Sequence, residues 1–208
     1  MTYRFRSPGI AQMTSRSLIV ALAALPLAGC ISLGAKPPAT LMTLAPAATQ
    51  PAGPATIAQA GTSVTVYVPS APPELGGLRV PVKAGANAVA YLKDAQWADA
   101  PARLFRNLLA ETITARTGRV TLDPRQYTLA PGLRLSGRLS DFGLDATGGR
   151  VVATYDAQLI RKDGGALETR RFRSEVPVAA QDSATVAAAL SEASNAIAAQ
   201  VADWIGRG

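Results

Sequence analysis

Hydrophobic and polar positions alternate in two different rhythms along this chain. From Ser63 to Val68, Val64, Val66 and Val68 alternate with Thr65 and Tyr67, the pattern of a half-buried strand. A loop rich in proline and glycine follows, Pro69 to Gly77, and then two more short extended segments, Leu78–Val82 and Ala88–Leu92. Pro81 lies within the first of these and predicts a sheet edge, because proline cannot donate to a ladder. The rhythm then changes to helical spacing over Ala100–Thr117, with Leu104, Phe105, Leu108, Leu109 and Ile113 on one face. Asp99 is its predicted N-cap and Gly118 its predicted terminator.

Three longer strands come next. Leu133, Leu135 and Leu139 hold the odd positions, but the following apolar residues are Phe142 and Leu144. This change of phase predicts a bulge near Ser140-Asp141. Gly148-Gly149 turns the chain into Val151–Ile160, and Asp163-Gly164-Gly165 turns it again into Ala166–Val178. A last helix is predicted over Ser183–Ile205, with Val186, Leu190, Ala193, Ile197, Val201 and Trp204 inward. The expected fold is α+β: an antiparallel sheet with two helices packed on one face.

The first 62 residues follow neither rhythm. Arg4, Arg6 and Arg16 precede an apolar core, Leu18 to Leu27, which runs into Ala28-Gly29-Cys30, and Cys30 is the chain's single cysteine. The core falls short of the roughly 20 apolar residues that span a bilayer. Small residues before a lone cysteine instead read as a lipobox: cleavage after Gly29, and diacylglycerol placed on the Cys30 thiol. Met13 to Cys30 would by itself make a complete signal of this kind. Residues 31–62 hold one charge, Lys36, and Pro37, Pro38, Pro46, Pro51 and Pro54 disfavour a helix, so they read as an extended tether. Within it, Leu41–Leu44 is a candidate short edge strand. The organisation expected is a signal peptide over 1–29, a lipidated cysteine and tether over 30–62, and a globular domain over 63–208.

Composition narrows the chemistry. The formal charge is +7, but three of the basic residues belong to the signal and the mature excess is +4. That favours an anionic membrane surface over nucleic acid, for which no binding motif is present. Histidine is absent, the one cysteine is committed to lipid, and the 14 carboxylates show no metal-like spacing. No G-x-S-x-G elbow frames a serine. Neither enzyme chemistry, nor a cofactor, nor a metal site is expected. Tyr91, Trp97, Arg170, Arg171 and Arg173 are the candidate partner or lipid surface, the aromatics as interface anchors and the arginines as phosphate or carboxylate ligands. The plainer reading puts Trp97 in the core and the arginines on a solvated strand face.

Three passages carry a family resemblance: Tyr91-Leu92 with Asp94-Ala95-Gln96-Trp97-Ala98-Asp99, Pro101 and Leu104; Leu133-Arg134-Leu135-Ser136-Gly137 with Leu139, Phe142 and Asp145; and the terminal Ala202-Asp203-Trp204-Ile205. Their order and spacing resemble the ABC-type transport auxiliary lipoprotein family, which includes the lipoprotein of the paraquat-inducible operon. The resemblance implies a non-catalytic accessory of a lipid-moving ABC system, held on the periplasmic face of the outer membrane. Its implied partner is a periplasmic MCE-domain protein, which it would dock alone or as a homo-oligomer. Ile31, in place of the aspartate that retains enterobacterial lipoproteins at the inner membrane, favours the outer membrane. The rival reading is a structural or assembly-helper lipoprotein of the outer membrane unrelated to transport.

Overall fold

The computed structural model describes residues 40–53, 57, 61–125, 132–161 and 165–207. The signal peptide, Gly29, Cys30 and the predicted turn at Asp163-Gly164 lie outside the described residues. In chain order the elements are β1 (Val64–Val66), β2 (Arg79–Gly85), β3 (Ala88–Gln96), α1 (Pro101–Thr117), β4 (Thr121–Leu122), β5 (Leu133–Asp145), β6 (Arg150–Ile160), β7 (Leu167–Pro177) and α2 (Ser183–Gly206). A short 3-10 turn, Pro73–Leu75, interrupts the loop before β2.

The α+β class and both helices are found as expected, but the sheet is mixed. β5 is its branch point. Along one edge β5 pairs antiparallel with β6, which pairs antiparallel with β7. Its other edge is shared: β1 lies parallel to the start (Val64↔Leu133 to Val66↔Leu135), Ser70 bridges Arg138, and β2 lies parallel to the end (Val82↔Leu144). β4 then adds parallel to β1, and β3 antiparallel to β2. Alternation reports that a strand forms, not which way its neighbour runs, so the parallel pairings had no local signature.

β2 is therefore an interior strand, not the edge that Pro81 predicts. The proline is accommodated because pairing with β5 begins only at Val82, and pairing with β3 shifts register between Arg79 and Pro81. Gly143 permits the close approach, since a Cβ there would strike the Pro81 carbonyl. The expected bulge is present, as a register shift between Leu139 and Asp141. It lets Leu133, Leu135 and Leu139 share the buried face with Phe142 and Leu144.

Both helices cover that face. Phe105 of α1 meets Phe142 and Tyr155 edge-on, with ring centroids 6.3 Å and 5.2 Å apart, and Phe172 of β7 meets Trp204 of α2 at 5.7 Å. All six residues of the predicted α2 stripe are buried. The α2 N-terminus is capped by Asp182, whose carboxylate accepts from the Thr185 amide at 2.9 Å. At its other end, Arg161 donates to the Trp204 and Ile205 carbonyls while paired with Glu168, placing a cation at the negative end of the helix dipole. α1 ends at Gly118 in the left-handed region (φ 68°) as predicted. Its N-cap is Ala100, however, not Asp99. The Asp99 side chain instead accepts from the Ala100 amide (2.7 Å) and pairs with Arg103 one turn on.

Part of the segment read as tether is held against the body. Met42 and Leu44 are each only 8% exposed and belong to the core. The Met42 amide donates to the Gln96 carbonyl (2.8 Å) and the Met42 carbonyl accepts from Ala98 (2.9 Å). The candidate Leu41–Leu44 strand is thus a single parallel bridge, Met42 to Trp97. Further on, Asn195 of α2 bonds the Ala45 carbonyl and the Ala47 amide, and Glu111 of α1 accepts from the Gln50 amide.

Candidate functional site

The sheet face turned away from the helices carries most of the predicted surface residues. β7 lies at one edge and β3 at the other, with β6, β5 and β2 between them. At about 4.8 Å per strand step, Arg173 and Tyr91 are roughly 19 Å apart across the sheet. They do not form one site.

The arginine cluster is largely neutralised across the strands. Arg173 lies 3.6 Å from Asp141 and 2.7 Å from Glu175; Glu175 also reaches Arg150 (3.1 Å), and Arg150 reaches Asp145 (3.4 Å). Lys83 pairs with Asp141 from the β2 side. Three cations and three anions therefore alternate along one ladder. Arg171 pairs with Asp156, which also accepts from Ser140. Cross-strand ion pairs of this exposure contribute about 0–1 kcal/mol each, so their main effect is to cancel charge. Arg170 differs: its guanidinium sits 5.0 Å from the Phe172 ring centroid, with no carboxylate partner among the described residues.

Charge pairing also sets how acid acts on the fold. Burial pushes the Asp141 carboxyl up, but the Lys83 ammonium, with Thr154 and Arg173, outweighs it and holds the group below the ordinary range. The Arg171 hydrogen bond does the same for Asp156. Asp99 and Asp123 are held at about 2, chiefly by hydrogen bonds from Arg103 and Arg125. Folded values below the ordinary 3.8 give stability that is full above pH about 4 and is lost as pH falls toward about 2. The chain has no histidine. The expected thermal midpoint is therefore level between about pH 5.5 and 8 and declines below about pH 4. Calorimetry over that range checks this, and a midpoint dropping between pH 8 and 5.5 would contradict it.

The predicted aromatics separate. Trp97 is fully buried, 5.6 Å from the Phe142 ring, and its amide donates to the Leu78 carbonyl at 2.7 Å. It supports the sheet edge from beneath and presents nothing to a partner, because the Met42 segment closes over its strand. Tyr91 is 37% exposed on β3, with the Arg79 guanidinium 3.7 Å from its ring centroid. Val89 and Leu41, 53% and 52% exposed, flank it along the same edge. Sequence reading missed Leu41, Arg79 and Val89 as a group, because only the β2–β3 register and the Met42 bridge bring them together. A groove of about 40 Å³ beside them is lined by Leu75, Pro81, Val89, Gly143 and Val152. Among the described residues no group of carboxylates is placed to hold a metal, and no helix is long and apolar enough to cross a membrane.

The sequence profile of the ABC-type transport auxiliary lipoprotein component matches residues 41–202. The chain belongs to that family. The matched region begins one residue before Met42, the first of the described residues that is buried in the core. Among solved structures, this auxiliary lipoprotein is similar to protein XCC0632 from Xanthomonas campestris, a DUF330 protein. The TM-score is 0.65 and the identity 20%, covering 80% of this chain and 94% of that one. It is also similar to an uncharacterized protein, with a TM-score of 0.59 and 19% identity, over 69% of this chain and 90% of that one. At these identities the likeness is one of fold. No curated protein matches this chain.

The β5 residues that carry the family resemblance are architectural. Leu133, Leu135, Leu139 and Phe142 are buried on β5. Gly137 leaves room for Tyr155, whose ring would lie 2.7 Å from an added Cβ and whose hydroxyl donates to the Ser136 carbonyl at 2.9 Å. Asp145 accepts from the Gly148 amide (2.9 Å) and fixes the hairpin turn. Family membership makes the protein an accessory component of ABC-type transport.

Proposed function

We propose that this auxiliary lipoprotein is anchored in the periplasmic leaflet of the outer membrane and docks the MCE assembly of an ABC-type phospholipid transporter, without catalysis of its own. The observation that carries the reading is the family match over residues 41–202 placed directly behind a lipobox ending at Cys30. Cleavage after Gly29 would free the Cys30 amine for a palmitate, beside the diacylglyceryl group on its sulfur. Several acyl chains anchor a protein stably where one alone is marginal. The domain organisation follows: signal over 1–29, lipid at Cys30, a tether, and the auxiliary domain. Twelve residue steps separate Cys30 from Met42, a contour of at most about 40 Å. Ile31 supports the outer membrane as the address. Arg170 and Tyr91 are the predicted surface residues left open to a partner or lipid, and Arg171 and Arg173 would join them only by exchanging their present carboxylate partners.

Affinity purification of the tagged protein from crosslinked envelopes tests this reading. An MCE-domain protein is expected among the enriched partners. Recovery of only a barrel or cell-wall protein would favour the assembly-helper reading instead.

A further inference from the structure

We infer that an apolar row across the outer sheet face, Tyr91, Pro81, Gly143 and Val152, is the groove that receives the docked protein, by way of an apolar side chain lying next to a lysine or arginine. The inference rests on the docking reading and adds the surface and the chemistry of the contact. Strand register builds the row. Tyr91 of β3 pairs with Pro81 of β2, and Gly143 of β5 pairs with Val152 of β6, which pairs with Glu175 of β7. A Cβ on Gly143 would strike the Pro81 carbonyl, so β2 and β5 are in close contact at the middle of the row. Side chains alternate between the two faces of a sheet. The chain neighbours Phe142, Leu144, Val151 and Ala153 are buried on the helix side, which turns Gly143 and Val152 outward.

Charged residues line the row on both sides. Lys83, Asp145 and Arg150 are in register across three strands on one side, and Asp141, Thr154 and Arg173 on the other. The two lines are four residues apart along β5, roughly 13 Å. Gly143 contributes no side chain, so a groove opens over it between Leu75, Val89 and Val152. An apolar hollow inside a polar ring is where an interface anchor gains most, because the ring excludes water. The ring also selects the occupant. Lys83, Arg150 and Arg173 are matched by Asp141, Asp145 and Glu175. Glu74 is left over: it lines the same groove and has no hydrogen bond or ion pair among the described residues. One uncompensated carboxylate repels a phospholipid phosphate and attracts a cation. A lysine or arginine beside the anchor side chain therefore completes the charge balance.

The test uses the full acylated protein in cells, with a photo-crosslinking benzophenone side chain in place of Val89 or, on β7 as the control, of Thr169. Both positions are exposed. Adducts are purified after irradiation and identified by mass spectrometry. Position 89 is expected to give several-fold more adduct with the MCE-domain protein than position 169, attached at an apolar residue beside a lysine or arginine. Separately, Glu74→Lys and Val89→Asp should each lower recovery of that protein several-fold, with the thermal midpoint unchanged, whereas Thr169→Asp should not. Recovery unaffected by either groove substitution, with equal adducts from 89 and 169, would overturn the groove and leave the docking reading standing. No MCE-domain protein with any form, the unsubstituted one included, would overturn both. Adducts from 89 that hold only phospholipid, or only a second copy of this chain, would overturn the groove as a site for a different protein.

Discussion

Replacing Cys30 with serine, behind a secretory signal that is cleaved without lipidation in place of residues 1–29, is expected to release the protein from the membrane fraction into the soluble periplasmic fraction, with its folded body unchanged. On the proposed reading anchorage rests on the acyl chains; no described helix is long and apolar enough to cross a membrane. Each acyl methylene buried in lipid contributes about 0.8 kcal/mol, a sum that the apolar side chains of the β3 edge cannot approach. Cys30 precedes every residue of the described core, so the thermal midpoint should match that of the acylated protein. Fractionation with circular dichroism of the released protein checks both halves. Retention of the serine variant in the membrane would show that some other element anchors the chain.

The largest loss of stability is expected from Trp97→Ala. Truncating a fully buried tryptophan costs about 3–5 kcal/mol, against a typical total of roughly 5–15 kcal/mol. The thermal midpoint of a domain of this length should fall on the order of 10 °C. The reason lies in what meets at Trp97: the Phe142 ring at 5.6 Å, the Leu78 carbonyl on its amide, and the Met42 segment bridged across its strand. Residues 40–50 should therefore become more open to protease in the alanine variant. Trp97→Phe keeps the ring contact and should lose much less. The indole Nε1 has no hydrogen-bond partner among the described residues, so removing it orphans no acceptor. Chemical denaturation of the two variants separates them, and equal losses would mean that the ring contact contributes nothing.

Reading the chain as a sequence recovered what local periodicity encodes. Both helices and the β5–β6–β7 meander follow from long runs of one rhythm, and the bulge at Ser140-Asp141 showed as a change of phase between Leu139 and Phe142. What it could not recover depends on residues far apart in the chain. Pro81 read as an edge because the shift of register that accommodates it belongs to β3, and the room for it to Gly143 on β5. Met42 and Leu44 were hidden in a proline- and alanine-rich stretch, since two apolar residues carry no period. The arginines of β7 looked like a cationic patch because their carboxylates, Asp141 and Asp156, stand on other strands. Asp99 fitted the composition of an N-cap, but the helix begins one residue later and its carboxylate is taken by Arg103.

The account makes tethering part of the mechanism, not only an address. Its central claim is tested most directly by lipid transport in cells whose only copy is the released Cys30→Ser protein, at a periplasmic level equal to that of the acylated form. The prediction is a loss of transport and of envelope integrity as complete as in cells lacking the protein, although the released body is folded. Full transport supported by the untethered protein would contradict it.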